Sequence, residues 1–200
     1  MDFIQILILS IIQGVTEFLP ISSQSHLILT STFLGMKDQG LNFDIALHTG
    51  SLIAILIYYR KEINKMLSMS DEGSQYLKLI ILGSIPLPII GLLFIDLVSA
   101  NMRSVESIAL MTIIFAIILY LADIKKKDEI NKLKSISMFT IVFIGFMQTL
   151  AIMPGVSRAG IVITAALLAN FSRDDSIKIA FLLSIPAIFM ATVYQSMQLY

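Results

Sequence analysis

The sequence predicts an all-α integral membrane protein that contains two re-entrant helical hairpins. Of its 200 residues, 56% are hydrophobic and only 14% are charged, whereas soluble domains usually carry about 25% charged residues. Polar side chains are concentrated in two short segments of apolar sequence, residues 12–26 and 146–160. The absence of cysteine excludes disulfides and thiolate catalysis. The formal net charge is zero, so bulk charge gives no sign of an acidic or nucleic-acid partner, and we expect a membrane protein without a nucleic-acid partner.

The apolar runs fall into two length classes. A helix needs about 20 mainly apolar residues to cross the hydrocarbon core. Four stretches meet this requirement: about 43–60, 76–97, 105–122 and 177–197. Four others are shorter and are interrupted by glycine, proline or polar residues: 3–12, 27–35, 137–153 and 159–171. Broken backbone is tolerated at membrane depth only inside protein or beside water, so the short runs predict the re-entrant hairpins.

Two parts of the chain resemble each other, which indicates one complete internal repeat followed by part of a second. A shift of 134 positions places Pro20 on Pro154 and Ser23 on Ser157. We therefore predict a single membrane domain over 1–200, with repeat one over about 1–122 and an incomplete repeat two over about 135–200. The second repeat would then lack two spans, as in a fragment or in a short form that covers the gap as a homo-oligomer. The N-terminal run lacks a basic region and a cleavage site, so we expect it to belong to the mature fold.

Basic residues predict the orientation. If each short pair enters and leaves on one side and each long run crosses, eleven basic residues share one side: Arg60, Lys61, Lys65, Lys78, Lys125, Lys126, Lys127, Lys132, Lys134, Arg173 and Lys178. The other side holds Lys37 and Arg103. The positive-inside rule makes the lysine-rich side cytoplasmic. The two hairpins are then inverted, and they can meet near the midplane, where inverted repeats place their sites.

The first polar segment carries nucleophile chemistry. Gln13 and Glu17 are four residues apart and share a helix face. Ser22 or Ser23 can cap the next helix, and His26 follows on the same face of its first turn. A serine hydroxyl needs an adjacent base, and histidine is the commonest one. Glu17 can orient the histidine or hold a divalent cation, Mg²⁺ or Ca²⁺, on phosphate oxygens.

The second polar segment carries anion-binding chemistry. The Arg158 guanidinium stays protonated and binds phosphate oxygens in a bidentate manner. Gly155 allows close backbone approach, and Ser157 can cap a helix whose free N–H groups bind anions. Together the two segments predict a site that binds and cleaves a phosphate ester or anhydride. The simpler interpretations are a structural Glu17–Arg158 pair, and helix capping or outer support by His48 and Asp44.

Two signatures resemble a known family. QGVTEFLPISS-x-x-H and PGVSRAG are similar to the paired motifs of the undecaprenyl-diphosphate phosphatase family of the bacitracin-resistance type. The resemblance implies a multi-pass protein of the bacterial plasma (inner) membrane whose site opens outward. It implies hydrolysis of undecaprenyl diphosphate, a polyprenyl diphosphate lipid, to undecaprenyl phosphate and phosphate. That reaction recycles the lipid carrier of peptidoglycan synthesis and confers bacitracin resistance.

The resemblance also implies roles for individual residues. Ser23 would be the nucleophile, His26 its acid–base partner, Glu17 the essential acid and Arg158 the diphosphate clamp. Substrate contacts would come from the remaining matched positions: Gln13, Ser22, Gly155 and Ser157. Gln13 stands where many members have glutamate, which removes one candidate metal ligand.

Three alternatives stay open at the level of sequence. An activated water could attack the phosphorus in place of Ser23. Inverted repeats with broken helices are also typical of transporters, so a transporter or polyprenyl-phosphate flippase is a second function. The third is an inactive, truncated homologue.

Overall fold

The structure is a computed structural model that describes residues 2–36, 41–68, 70–102, 104–125, 133 and 136–197. Within these ranges the chain forms ten α-helices: α1 (Phe3–Thr16), α2 (Ser23–Phe33), α3 (Leu41–Tyr58), α4 (Arg60–Leu67), α5 (Asp71–Ser84), α6 (Pro86–Asn101), α7 (Val105–Ile124), α8 (Met138–Gln148), α9 (Arg158–Leu168) and α10 (Arg173–Met197). Some residues behind the orientation argument lie outside the described residues: Lys37, Arg103, Lys126, Lys127, Lys132 and Lys134. The side chain of Asp44 also lies outside them.

The first polar segment forms a helix, a break and a second helix. Asp2 and Gln5 form a capping box at the start of α1, with Gln5 N donating to the Asp2 carboxylate at 2.8 Å. The helix ends at Thr16, and Pro20 lies in the break before α2. Ser22 precedes α2 with φ at +59°. Ser22 occupies the N-cap position of α2, one of the two predicted alternatives, but its side chain makes no cap hydrogen bond. Ser23 is the first helical residue.

Three of the four predicted spans are long and apolar enough to cross a membrane: residues Gly73–Phe94, Val105–Ile124 and Arg173–Tyr194. The fourth, 43–60, corresponds to α3, of which the described part Ala46–Tyr58 is a shorter apolar helix. The predicted span 76–97 is not one regular helix, since α5 ends at Ser84 and α6 begins at Pro86. Proline has no N–H to donate to the preceding turn, so the helical ladder is interrupted there.

The second polar segment repeats the element order of the first. A short α8 leads through a 3₁₀ turn, Thr149–Ile152, to a break that contains Pro154. The short α9 and the long α10 follow. Ser157 caps α9 as predicted, because its Oγ accepts from Gly160 N at 3.2 Å. The inverted relation of the two repeats stays a prediction.

The core forms around α9, which packs against α7, α8 and α10, while α10 also packs against α3 and α5. Most α9 side chains are buried, and many are small. Close helix packing also occurs between α5 and α8, where a Cβ on Gly145 would lie 2.6 Å from the Gly83 carbonyl oxygen. Small residues at such crossings are typical of membrane helix packing.

The outward-facing side chains of the long helices are apolar. On α7, Ile113, Ile117 and Leu121 are each about half exposed, at 58%, 53% and 48%. Exposed apolar faces of this extent are unfavourable in water but are matched by lipid chains. The fold is therefore that of an all-α membrane protein.

Candidate active site

Glu17 connects the two polar segments. Its carboxylate accepts three hydrogen bonds: from Gln13 Nε2 at 2.9 Å, from Ser23 Oγ at 2.7 Å and from Arg158 Nη2 at 2.7 Å. Gln13 and Ser23 bond Oε2, and Arg158 bonds Oε1. Glu17 is 8% exposed. A buried carboxylate is stable only when charge and hydrogen bonds compensate its lost hydration, and these three donors supply both.

The two breaks lie against each other. Ser157 Oγ donates to the Leu19 carbonyl oxygen at 3.4 Å. A Cβ on Gly160 would lie 3.3 Å from Pro20 Cβ, so the first turn of α9 fits closely over the first break. This contact explains how residues from opposite ends of the chain form one site.

Aromatic packing fixes the chain immediately after Glu17. The ring of Phe18 meets the ring of Phe181 on α10 edge-on, with centroids 5.6 Å apart and planes at 81°. Phe181 in turn packs against Tyr59 at 5.9 Å. Edge-to-face pairs of this kind hold a defined relative orientation. The Glu17 backbone is therefore anchored to α10.

The Pro-Gly turn of the second segment is held by α7. Gly155 has φ at +95°, and a Cβ there would collide with the Ile108 carbonyl oxygen. Thr112 Oγ1 donates to the Gly155 carbonyl at 3.1 Å. Only glycine tolerates both the conformation and the close approach. The expectation of close backbone approach at Gly155 is met, although the partner is α7 rather than a ligand.

Ser23 and His26, paired in the sequence analysis, have different partners in the structure. Ser23 Oγ donates to Glu17, as above, whereas His26 Nδ1 lies 2.9 Å from the Ser22 carbonyl oxygen. Because a carbonyl only accepts, Nδ1 carries the proton, and Nε2 is the basic nitrogen of the neutral ring. Ser22 Oγ accepts from Ser25 Oγ at 3.0 Å. The carboxylate, rather than the imidazole, is placed to receive the proton of Ser23.

His48 reaches the site from α3, in agreement with the interpretation as outer support, although sequence reasoning did not pair it with Glu17. Its Nε2 lies 3.8 Å from Glu17 Oε2. The available signal was its position as an ionisable residue in the apolar run of α3, because such residues at membrane depth are functional candidates. Thr112 gave no comparable signal, since a threonine in a membrane helix commonly bonds its own backbone.

Several buried polar atoms of the described residues have no hydrogen-bond partner. They include Arg158 Nη1, Gln13 Oε1 and both amide atoms of Gln148. An unsatisfied buried donor costs about 1–3 kcal/mol, and more on a charged group. Arg158 therefore offers one edge to Glu17 and keeps an unused donor, as expected of a group that binds an anion.

Among the described residues of the site, Glu17 is the carboxylate that would hold a metal. No group of three or more His, Cys, Asp or Glu side chains suited to a metal occurs among the described residues. Glu17 is already bonded to three donors. These residues do not form a closed protein cage, but Mg²⁺ characteristically takes one or two carboxylates and completes its shell with water and substrate phosphates.

Comparison with known proteins identifies the family. The sequence model of the bacitracin resistance protein BacA family matches residues 6–200. The chain belongs to this family. Curated relatives include an undecaprenyl-diphosphatase of Teredinibacter turnerae, 42% identical over 208 residues that cover 100% of this chain and 78% of the relative. An undecaprenyl-diphosphatase of Pelagibacter ubique is 47% identical over 197 residues, covering 97% and 75%.

A third relative, undecaprenyl-diphosphatase 1 of Pseudoalteromonas translucida, is 44% identical over 208 residues, which cover 100% of this chain and 78% of the relative. The resemblance noted for the two polar segments thus extends over nearly the whole chain. As a BacA family member, the chain is a helical membrane protein whose polar motifs meet at Glu17.

Proposed function

We propose that this BacA family protein hydrolyses undecaprenyl diphosphate to undecaprenyl phosphate and inorganic phosphate. The relatives carry the name of this activity. One observation carries the proposal: a buried carboxylate holds a serine hydroxyl on one oxygen and an arginine on the other. The serine hydroxyl is hydrogen-bonded to a base, and the neighbouring guanidinium keeps an N–H donor for phosphate. This arrangement suits phosphoryl transfer.

The diphosphate would bind at the second segment. Arg158 Nη1 supplies an unpaired charged donor, and α9 begins at Arg158, so its N-terminal N–H groups favour negative charge nearby. The lipid chain would pack among the apolar helices, which leaves the phosphates at the two breaks. This placement sets the terminal phosphorus beside Ser23.

Ser23 Oγ would attack the terminal phosphorus as its proton passes to Glu17. The bond from that phosphorus to the bridging oxygen breaks, and undecaprenyl phosphate leaves with the bonding electrons. Water then attacks the phosphoserine phosphorus while His26 Nε2 takes its proton, because Nδ1 is tied to Ser22. The Oγ–P bond breaks, Glu17 returns its proton to Ser23 Oγ, and inorganic phosphate leaves. In the variant route, water takes the place of Ser23 and attacks directly. Arg158 stabilises the negative charge of the transferring group in both routes.

A divalent cation would be shared between Glu17 and the substrate phosphates, where it would neutralise charge on the phosphoryl oxygens. One carboxylate plus phosphate oxygens matches the chemistry of Mg²⁺ or Ca²⁺ sites built on substrate. The test is phosphate release after chelation with EDTA, followed by re-addition of each ion. Full activity in chelator at every substrate concentration would remove the cation from this proposal.

The protein would reside in the bacterial inner membrane with its site open to the outside. The basic residues assigned to one side support this orientation. Since the chain has no cysteine, single-cysteine variants at Lys125 and Leu19 give clean reporters in right-side-out vesicles. An impermeant maleimide is expected to label position 19 and to spare position 125. The reverse pattern would overturn the orientation.

Purified full chain in detergent, supplied with undecaprenyl diphosphate, tests the function directly. We expect release of inorganic phosphate, and a loss of about 10³-fold in kcat on Ser23→Ala if serine is the nucleophile. The matched control is Ser74→Ala on α5, a residue whose Oγ donates to the Asp71 carbonyl oxygen of its own helix. Acid-stable phosphate trapped on Ser23 supports the covalent route, and its absence with Ser23→Ala fully active supports water. No phosphate release from the unaltered chain would overturn the function.

A further inference from the structure

His48 approaches the catalytic carboxylate from a separate helix. Its Nε2 lies 3.8 Å from Glu17 Oε2, and its side chain is 28% exposed where that of Glu17 is 5% exposed. The helix that carries it, α3, packs against both α1 and α10. The imidazole is thus held at the edge of the site by two elements that also position Glu17 and Phe181.

The donors around Glu17 are unequally divided between its two oxygens. Oε1 is bonded to Arg158, while Oε2 accepts from Gln13 and Ser23 and faces His48. An arriving diphosphate binds the other edge of the same guanidinium, shares its positive charge, and adds negative charge beside a buried carboxylate. A buried carboxylate that loses part of its counter-charge needs another donor to keep its ionised form and its position.

We propose that His48 is a positioning residue that holds the Glu17 carboxylate against Ser23 when Arg158 engages the substrate phosphates. The proposal rests on the function proposed above. The 3.8 Å separation exceeds a hydrogen bond, which spans about 2.7–3.2 Å, so a shift of about 0.6–1.1 Å brings Nε2–H within hydrogen-bonding distance of Oε2. His48 acts through Glu17, and its contribution therefore belongs to the chemical step rather than to substrate binding.

Two substitutions separate the donor role from packing. His48→Gln keeps an N–H donor of similar reach, whereas His48→Leu fills a similar volume without a donor. With the full chain in detergent and undecaprenyl diphosphate as substrate, we expect His48→Leu to lower kcat about tenfold with KM changed less than about twofold. His48→Gln should stay close to the parent. The control is Ile53→Ala on the same helix, at a side chain that is 53% exposed.

Several outcomes of these measurements would overturn the proposed role of His48. A kcat unchanged by His48→Leu, an effect confined to KM, or a His48→Gln variant as slow as His48→Leu would each overturn the proposal. Thermal unfolding in detergent is measured for every variant, with His48→Met as a second apolar substitution. If the unfolding midpoint falls in parallel with kcat in both His48→Leu and His48→Met, the role of His48 is structural, and the proposal is overturned. The unaltered chain is assayed in parallel. If it releases phosphate, a negative result for the His48 variants concerns the role of His48 and not the proposed function.

Discussion

Arg158 Nη2 lies 2.7 Å from Oε1 of Glu17, a contact between residues separated by 141 positions. One side chain begins α9 and the other follows the last turn of α1. The pair neutralises a buried charge in the substrate-free protein and places a cation where phosphate is expected. Since removing one partner of a buried pair leaves the other uncompensated, either truncation should cost both stability and activity.

Arg158→Lys should lower kcat/KM about 10²-fold, because lysine keeps the charge but cannot bond Glu17 and phosphate through separate edges. The measurement is phosphate release over a range of substrate concentrations. Arg173→Lys is the matched control, because Arg173 also pairs with a carboxylate, that of Asp123, through two bonds of 2.6 and 2.7 Å. That pair is exposed and joins α7 to α10, so its loss should leave kcat/KM near the parent. Equal losses in the two variants would contradict the prediction.

Gly155→Ala should destabilise the protein by about 1–3 kcal/mol and remove most activity. Alanine is strained at φ +95°, and its Cβ collides with the Ile108 carbonyl. Gly14→Ala is the matched control, since a Cβ there meets nothing within 4 Å and the residue lies in α1. It should be neutral or stabilising by about 0.5–1 kcal/mol. Thermal unfolding midpoints in detergent distinguish the two, and a stable, active Gly155→Ala would refute the packing of this turn on α7.

Phe18→Leu and Phe181→Leu should be energetically coupled. Their edge-to-face contact contributes about 0.5–1.5 kcal/mol beyond buried area, and the pair anchors the backbone beside Glu17. A double-mutant cycle on unfolding free energy measures the coupling. Phe189→Leu, at a side chain that is 58% exposed on α10, is the control and should show no coupling to Phe18. Strictly additive losses for the Phe18–Phe181 cycle would rule out the anchor.

Gln13→Glu should move the acid limb of the pH–rate profile to higher pH. Gln13 Nε2 donates to Glu17 Oε2 at 2.9 Å, and two carboxylates at that distance retain a shared proton to higher pH than one carboxylate alone. Activity at the alkaline side should persist. The control is Gln24→Glu at an exposed position of α2. A profile that coincides with the parent would show that position 13 does not interact with the acid during turnover.

Several features of the fold could be predicted from local sequence. Apolar run length located the long helices near 105–122 and 177–197, because crossing the hydrocarbon core sets a minimum length. Proline and glycine located both breaks, and Ser157 was recognised as a cap from its place before a helix. The break between α5 and α6 was missed, because apolar run length alone does not register it, although Pro86 and Pro88 inside the run signal an interrupted ladder.

The sequence by itself determined the membrane class, the two broken segments and the residue types that make a phosphate site. These follow from composition and from backbone restrictions that act over a few residues. Only the tertiary structure decided that Ser23 bonds Glu17 while His26 bonds Ser22, and that His48 enters from α3. Spacing along one helix cannot predict a contact that crosses the break at Pro20. The contacts from α3, α7 and α10 depend on helix packing, which no local pattern encodes.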